Sequence, residues 1–417
     1  MAQDSAGEQQ RLYQRMVANP TNYDITSAYV RAAIANGDYE AAIGALERLL
    51  FYNPNLAHVK YELGTLYYRL GAYEMARRYF HEAQASPALD EATRQSITAY
   101  LENANQATQQ SRFSGFAQTG LRYQSNANFG PAGDVIRYGG ANVAVSGSAK
   151  RAPDWNWFGV VGLSHDYDLE DQRGDVLETR FIAYDSQQFK LHDLDVGLFD
   201  VSFGPRMPLA TELLPGSTIK PYIVGGNTWV GTARYLTSGG AGLQIKLPLG
   251  KSLTVGPEFE WRNVNYNPAS SIPTDTFATG NMFTGGMSAQ LTISDQVKVE
   301  SKGYYRRGLA SNSFQTYDQW VAEAALTLQL PPLVPNISSS ASPFGRYIRT
   351  KFDAANPYID PLIARTDDEW IAGITFNTQF SKAFGVSTTI QYDRVGSTLP
   401  NYREDNFSVM AGPTAHF

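Results

Sequence analysis

Five histidines are the first residues to weigh for chemistry, and their positions argue against most of it. His58, His81, His165, His192 and His416 share no metal-ligand spacing with one another or with a carboxylate motif. The chain has no cysteine, which excludes a thiol nucleophile, a disulfide framework and a thiolate zinc site. No glycine-flanked serine elbow, Walker loop or dinucleotide fingerprint occurs. His165-Asp166 falls on an expected strand. Hydrolysis at a lipid surface would need a serine and a polar partner on adjacent strands beside it, and such neighbours are not legible in sequence. Glu258 and Glu260 share one face, but carboxylates two apart on a strand read as lining rather than as an acid-base pair. The expectation is a non-enzymatic protein with no metal and no cofactor.

The elements that carry these residues change character along the chain. The formal net charge is −6, which gives no electrostatic case for nucleic acid. Charged residues make up 18% of the 417 positions, below the roughly 25% of an average soluble domain. No run of about 18 apolar residues exists, so a transmembrane helix is excluded. The longest uncharged run, Leu326 to Gly345, is broken by Pro, Ser and Asn. A membrane β-barrel escapes this test, because its strands are short and alternate. All six tryptophans follow Ser111. Helical patterning precedes that point and strand patterning follows it, which predicts two segregated domains, an α + β chain divided into 1–111 and 112–417. The start, Met1-Ala2-Gln3-Asp4, lacks a basic and an apolar leader region, and we read it as a mature exported chain carrying an added Met.

The first domain contains a repeat. Asn36-Gly37-Asp38-Tyr39-Glu40-Ala41-Ala42 aligns with Leu70-Gly71-Ala72-Tyr73-Glu74-Met75-Ala76 at a spacing of 34 residues, the period of the tetratricopeptide repeat. The second copy is fuller, with Leu63, Gly64, Tyr67, Ala76, Phe80, Ala83 and Pro87. Small residues let paired helices approach and large ones fill between them. Gly71 sits where the inter-helix turn needs a permissive backbone. Helices near Gln9–Ala18 and Asp90–Gln109 would complete the stack. Such a stack is either a spacer or a concave face for an extended partner. On the second reading Tyr29, Arg31, Tyr61, Tyr68 and Arg69 are the exposed side chains expected to meet a client.

The second domain alternates. Leu253, Val255, Pro257, Phe259 and Trp261 face one side of a strand, with Thr254, Gly256, Glu258, Glu260 and Arg262 on the other. The stretches 320–330, 369–380 and 386–393 repeat the pattern. A soluble sandwich would also alternate, but three features favour membrane. The strands run about 10–13 residues, the length of a tilted span rather than the usual 5–6. Aromatics such as Trp155/Trp157, Tyr304/Tyr305 and Trp370 gather at strand ends. Short links at Gly250-Lys251, Asp295-Gln296 and Ala383-Phe384 alternate, imperfectly, with longer ones such as Asn126–Val135 and Asn265–Phe277. The C-terminus adds a fourth. Phe407, Val409, Ala411, Pro413, Ala415 and Phe417 share a face, and Gly412, Ala415 and Phe417 look like the terminal-strand signal of outer-membrane barrels.

An open edge is intolerable in lipid, so the strands must close into an antiparallel transmembrane β-barrel. Roughly fifteen strand-like segments occur, and an even number is required. Fourteen is the expectation and sixteen the alternative, with the ambiguity around Leu191–Leu209 or Tyr222–Leu249. The lumen face would carry Arg180, Glu258, Glu260, Arg262, Lys298, Glu300, Lys302 and Glu323. These mixed signs predict either a cross-linked, partly occluded interior or a passage without strong charge preference. Gly385, Gly412 and Pro413 would weaken pairing between the first and last strands, which could open sideways.

The order of helical repeats and a barrel of about 300 residues ending in Phe resembles the surface lipoprotein assembly modifiers of Gram-negative bacteria. The segment Phe113-Ser114-Gly115-Phe116 to Tyr123, running into Gln124-Ser125-Asn126-Ala127-Asn128-Phe129-Gly130-Pro131, is similar to the first strand and Asn-x-Asn…Pro segment of that family's barrel. The resemblance implies a fourteen-stranded barrel in the bacterial outer membrane, folded by the barrel assembly machinery and bathed in outer-membrane lipid. It implies periplasmic helices that engage a lipoprotein or other exported protein, or its chaperone, on its way to the cell surface. Two other readings remain open. One is an export porin for exopolysaccharide, and the other a plugged barrel that anchors a helical docking platform.

Overall fold

The computed structural model describes residues 2–417 apart from 88, 172, 210–213, 268–274, 333 and 336, and apart from the side chains of 2–6 and 106–108. The expected loop Asn265–Phe277 therefore lies partly outside the described residues. The chain divides into two units, Met1–Gln110 and Ser111–Phe417.

Among the described residues the first unit has six helices: α1 (Ala2–Ala18), α2 (Tyr23–Ala35), α3 (Tyr39–Tyr52), α4 (Ala57–Arg69), α5 (Tyr73–Gln84) and α6 (Glu91–Thr108). Local signals set their starts. Asn22, Asp38 and Asp90 accept the backbone N–H groups of Ile25, Ala41 and Thr93, which satisfies donors that a helix start leaves unpaired. Gly37 and Gly71, 34 apart, hold the α2–α3 and α4–α5 turns at φ 78° and 76°, where a side chain would be strained. Ala42 and Ala76, also 34 apart, are fully buried. A Cβ on Gly64 would stand 2.6 Å from the Phe80 ring, so α4 and α5 approach through a glycine. Glu47 on α3 ties the two hairpins together by accepting the hydroxyls of Tyr67 (2.7 Å) and Tyr79 (3.2 Å). Burial, and then this hydrogen bond, push the Tyr67 hydroxyl up to about 12.

In the second unit the strands are β1 (Ser111–Gln124), β2 (Val135–Tyr138), β3 (Ala141–Ala144), β4 (Asp154–Asp168), β5 (Val176–Gln188), β6 (Val196–Pro208), β7 (Thr218–Val230), β8 (Ala233–Leu249), β9 (Leu253–Tyr266), β10 (Gly280–Ser294), β11 (Val297–Ala310), β12 (Tyr317–Leu330), β13 (Ser338–Ala355), β14 (Ala364–Gln379), β15 (Phe384–Ser397) and β16 (Glu404–His416). Fourteen of them, β1 and β4 to β16, close an antiparallel barrel in which each strand pairs with its sequence neighbour and β1 pairs with β16. The other two, β2 and β3, form a hairpin within the 125–153 loop. The ambiguous stretch holds β6, β7 and β8. Its loop rhythm fails because β7 and β8 join through only Gly231-Thr232, with Gly231 at φ 58°, on a rim that elsewhere carries longer loops.

Partners opposite one another in a ladder share a face. The registers therefore put Trp155, Trp157, Trp229, Trp261, Trp320 and Trp370 all outside. All six lie toward the loop-bearing rim, and ring contacts join Tyr123 to Trp155, Tyr305 to Trp320 and Tyr347 to Trp370. The opposite rim carries exposed Phe113, Phe384 and Phe417. Two aromatic girdles around an apolar band fit a cylinder that spans a lipid layer. Among the described residues no helix is long and apolar enough to cross a membrane.

Candidate functional site

The barrel interior is built from charge. Near the rim that holds the ends of β1 and β16, Arg180 on β5 reaches Asp166 on β4 and Glu178 on its own strand, both at 2.9 Å. Arg206 on β6 reaches the same carboxylates at 3.2 and 3.1 Å, and Lys220 on β7 pairs with Glu178. Three cations thus share two anions. Glu178 and Lys220 are only 5% and 6% exposed, so the network is needed to offset their desolvation.

A second network crosses the wall. Arg262 on β9 binds Asp200 on β6 (2.5 Å) and Glu260 (2.7 Å), and Tyr222 donates to Glu260 at 3.1 Å. The guanidinium crosses two strands because the inward partners of Asp200 and Arg262 there are Gly226 and Gly240. Lys302 pairs with Glu258 at 3.6 Å, and Arg346 with Glu323 at 2.8 Å.

Between these networks lies a cavity of about 1050 Å³ lined by Arg180, Lys246, Glu300, Lys302, Glu323 and Arg346, among others. The structure thus puts four of the sequence-derived lining residues (Arg180, Glu300, Lys302, Glu323) on this cavity. Glu258, Glu260 and Arg262 lie in the adjoining wall, and Lys298 faces inward by its pairing with Thr327. Sequence reading missed Asp166, Glu178, Asp200, Arg206, Lys220 and Arg346. Glu178 was within reach, since it alternates with Leu177 and Thr179 as Arg180 does. Lys220 and Arg346 sit among glycines, prolines and serines that dilute the pattern.

The closing seam differs from its neighbours. The ladder of β1 with β4 runs unbroken from Ser111↔Tyr167 to Gln124↔Asp154. The ladder of β1 with β16 runs from Phe116↔His416 to Gln118↔Thr414, lapses at Thr119 and Gly120, and resumes at Leu121↔Ala411. Pro413 cannot donate to the ladder. A side chain on Gly120 or Gly412 would run into the opposite backbone. Phe417 fastens the end, exchanging backbone bonds with Gly115 (2.8 and 3.1 Å), while Ala415 pairs with Ala117 and Phe384. Gly385 contributes no gap, since β15 pairs with β16 continuously from Phe384 to Val395.

The Asn126–Pro131 segment is a loop clamp. Asn126, fully buried, donates to the carbonyls of Gly130 (2.9 Å) and Asp405 (3.3 Å) and accepts from Gly130 N–H. Asn128 donates to Ser148 and Lys150 and accepts from Ala152. The β2–β3 hairpin is held to its neighbours by Asn401, which accepts from Arg137 N–H and donates to its carbonyl, and by the Arg137–Asp360 ion pair at 2.6 Å. The backbone N–H of Leu362, then the Arg137 guanidinium, hold the Asp360 carboxyl below the usual carboxylate range.

His165 does have a serine beside it on the adjacent strand: Ser111 Oγ and its Nε2 are 2.9 Å apart, with Phe113 stacked on the imidazole. Among the described residues no carboxylate or amide bonds the other ring nitrogen, so the orienting member of a triad is missing. No group of three or more His, Cys, Asp or Glu among the described residues is placed to hold a metal.

On the helical unit one expectation is corrected. Tyr29 is 5% exposed and lies in the core, packed on Tyr13. It shares the buried stripe Thr26, Val30 and Ala33 of α2, at the i, i+3, i+4, i+7 spacing of an inner helix face. Tyr61 and Tyr68 are half-buried against Tyr100 of α6. Arg31 and Arg69 are exposed.

A sealed cylinder, apolar outside and ionic inside, is the architecture of an outer-membrane β-barrel protein, here with six helices ahead of it. No family model matches the chain, and no curated protein matches it. Among solved structures it is similar to a bacterial polysaccharide outer membrane secretin (9% identity, TM-score 0.35, 72% of this chain and 98% of that one). It is similar also to a Pseudomonas aeruginosa FadL homologue (10%, 0.37, 74% and 89%) and to the outer membrane channel DcaP of Acinetobacter baumannii (10%, 0.36, 74% and 97%). At these scores the likeness says nothing about cargo.

Proposed function

We propose that this protein is an outer-membrane translocation protein that delivers a lipoprotein or another exported protein to the cell surface. The observation that carries the reading is the β1–β16 seam, the shortest ladder of the barrel and one that lapses at Thr119 and Gly120, so that fewer backbone bonds hold it than any other junction. An even strand number brings both ends of the barrel to the rim of shorter turns, which in such barrels faces the periplasm. Residues before Ser111 then lie in the periplasm. The 34-residue hairpins read there as tetratricopeptide repeats, with Arg31 and Arg69 as exposed contacts for the client. Outer-membrane lipid and the barrel assembly machinery are the remaining partners. The protein performs no catalysis of its own.

Locking the seam tests this. Leu121→Cys with Ala411→Cys joins register partners whose spacing suits a disulfide, in a chain with no other cysteine. Surface exposure of a co-expressed lipoprotein is expected to fall on oxidation and to recover with reductant. Undiminished exposure in the locked barrel would discard the seam as the route. Removing residues 2–110 is expected to abolish delivery. The lumen cavity favours a second reading, an exopolysaccharide export porin. Steady single-channel conductance in planar bilayers, with no client exposed, would favour it over lipoprotein delivery.

A further inference from the structure

A second chamber lies inside the loop-bearing end of the barrel. Its volume is about 520 Å³, within the range of small-molecule sites, and its lining is of two kinds. Phe129, Tyr317, Phe352 and Tyr402 supply aromatic surface, and Asp367, Glu369 and Glu404 supply carboxylates.

Carboxylates outnumber cations in this lining. Among the described residues Arg365 is its one cation, and it is already committed. Its Nε bonds Asp367 at 2.6 Å, and its guanidinium stacks 3.4 Å from the Tyr402 ring centre and 4.9 Å from that of Phe352. Asp367 is only 6% exposed, and its Oδ1 is buried with no hydrogen-bond partner. Glu369 and Glu404 are half-buried and enter no ion pair within 4 Å among the described residues. Three carboxylates face one guanidinium in this lining, and a buried carboxylate without a partner takes up either a proton or a cation.

The aromatic wall is deliberately placed. Phe129 stands at φ 52°, a left-handed conformation costly for a bulky residue. The Asn126 and Asn128 clamp pins the turn on either side of it, and its ring is 61% exposed, although the clamp alone would be served as well by glycine. The carboxylates are not gathered around a point as a metal demands. Ring faces beside carboxylates instead match a cation that carries its own hydrocarbon surface.

We propose that this chamber binds an organic ammonium ion, with its cationic head beside Glu369 and Glu404 and its stem against Phe129 and Tyr402. The site is independent of the transport reading, because it requires only the folded barrel. The test is isothermal titration of the full chain in detergent micelles with spermidine. One site per barrel is expected. Glu369→Gln with Glu404→Gln should weaken binding at least tenfold, and Phe129→Leu about fivefold. Heat-modifiable gel migration verifies that each variant is folded. Tyr402→Leu, also expected to weaken binding about fivefold, replaces the double variant if that one fails to fold. Spermidine binding that survives loss of both carboxylates would overturn the proposal. So would magnesium binding as tightly as spermidine with Phe129→Leu silent, or glucose binding the same chamber.

Discussion

The two units bury opposite things. In the helical unit Leu46, Leu63, Phe80 and Ile97 are wholly enclosed, while Arg31 and Arg69 stand in solvent. In the barrel Ile223 is 64% exposed, while Glu178 and Lys220 are enclosed. The two patterns come from one chain and one alphabet, so the inversion reports the surroundings. Water drives apolar surface inward in the first unit. Lipid takes that surface outside in the second and leaves the ionic groups to satisfy one another within.

Four measurements put that inversion at risk. The largest effect is expected from Phe80→Ala, which opens a cavity against Gly64 and should cost the helical unit about 4 kcal/mol, read as an earlier loss of the 222 nm helical signal on heating the full chain. An unchanged helical melt would mean that Phe80 is not enclosed. Next, Ile223→Arg on the outer face should cost about 3 kcal/mol in refolding into lipid vesicles followed by urea titration. A neutral result would place this face in water. Glu178→Gln should cost about 2 kcal/mol in the same assay, below the 3–5 of a fully enclosed ion pair. The discount arises because the Gln carbonyl oxygen still accepts from Lys220 or Arg206 and Arg180 keeps Asp166. A gain in stability would show the network to be surplus.

The smallest effect is a pH dependence at α6. The backbone N–H and then the hydroxyl of Thr93 hold the Asp90 carboxyl below its usual range. A lowered folded value means that the cap contributes above about pH 4, the unfolded range, and that its contribution fades as pH falls through the folded value. Helical signal should therefore decline between pH 5 and pH 2 in the native chain, and less so in Asp90→Ala. Equal declines would remove the cap from the account.

Much of this was legible because it is periodic. The spacing of Gly37 and Gly71 marked the hairpin turns, and the alternation from Leu253 to Arg262 separated wall from lumen, since each depends on backbone geometry repeated along the chain. Tyr29 was misjudged because one helical turn contains both an inner and an outer side, and only packing against α1 and α3 says which is which. The β2–β3 hairpin has strand patterning too, yet it stands apart from the barrel.

Local pattern and the free energy of backbone groups in lipid account for what could be read directly: the change from helical to strand patterning near Ser111, the helical period, the outward face of Trp261 and Trp370, and the need for closure. Fourteen strands, expected ahead of sixteen, are what the closed sheet has, and its registers were needed to reveal the gap opposite Gly412-Pro413 and which charges meet. Arg262 finds Asp200 and Arg365 lies between Phe352 and Tyr402 because a closed, staggered sheet brings distant strands to one height, and that stagger is set by all fourteen registers together.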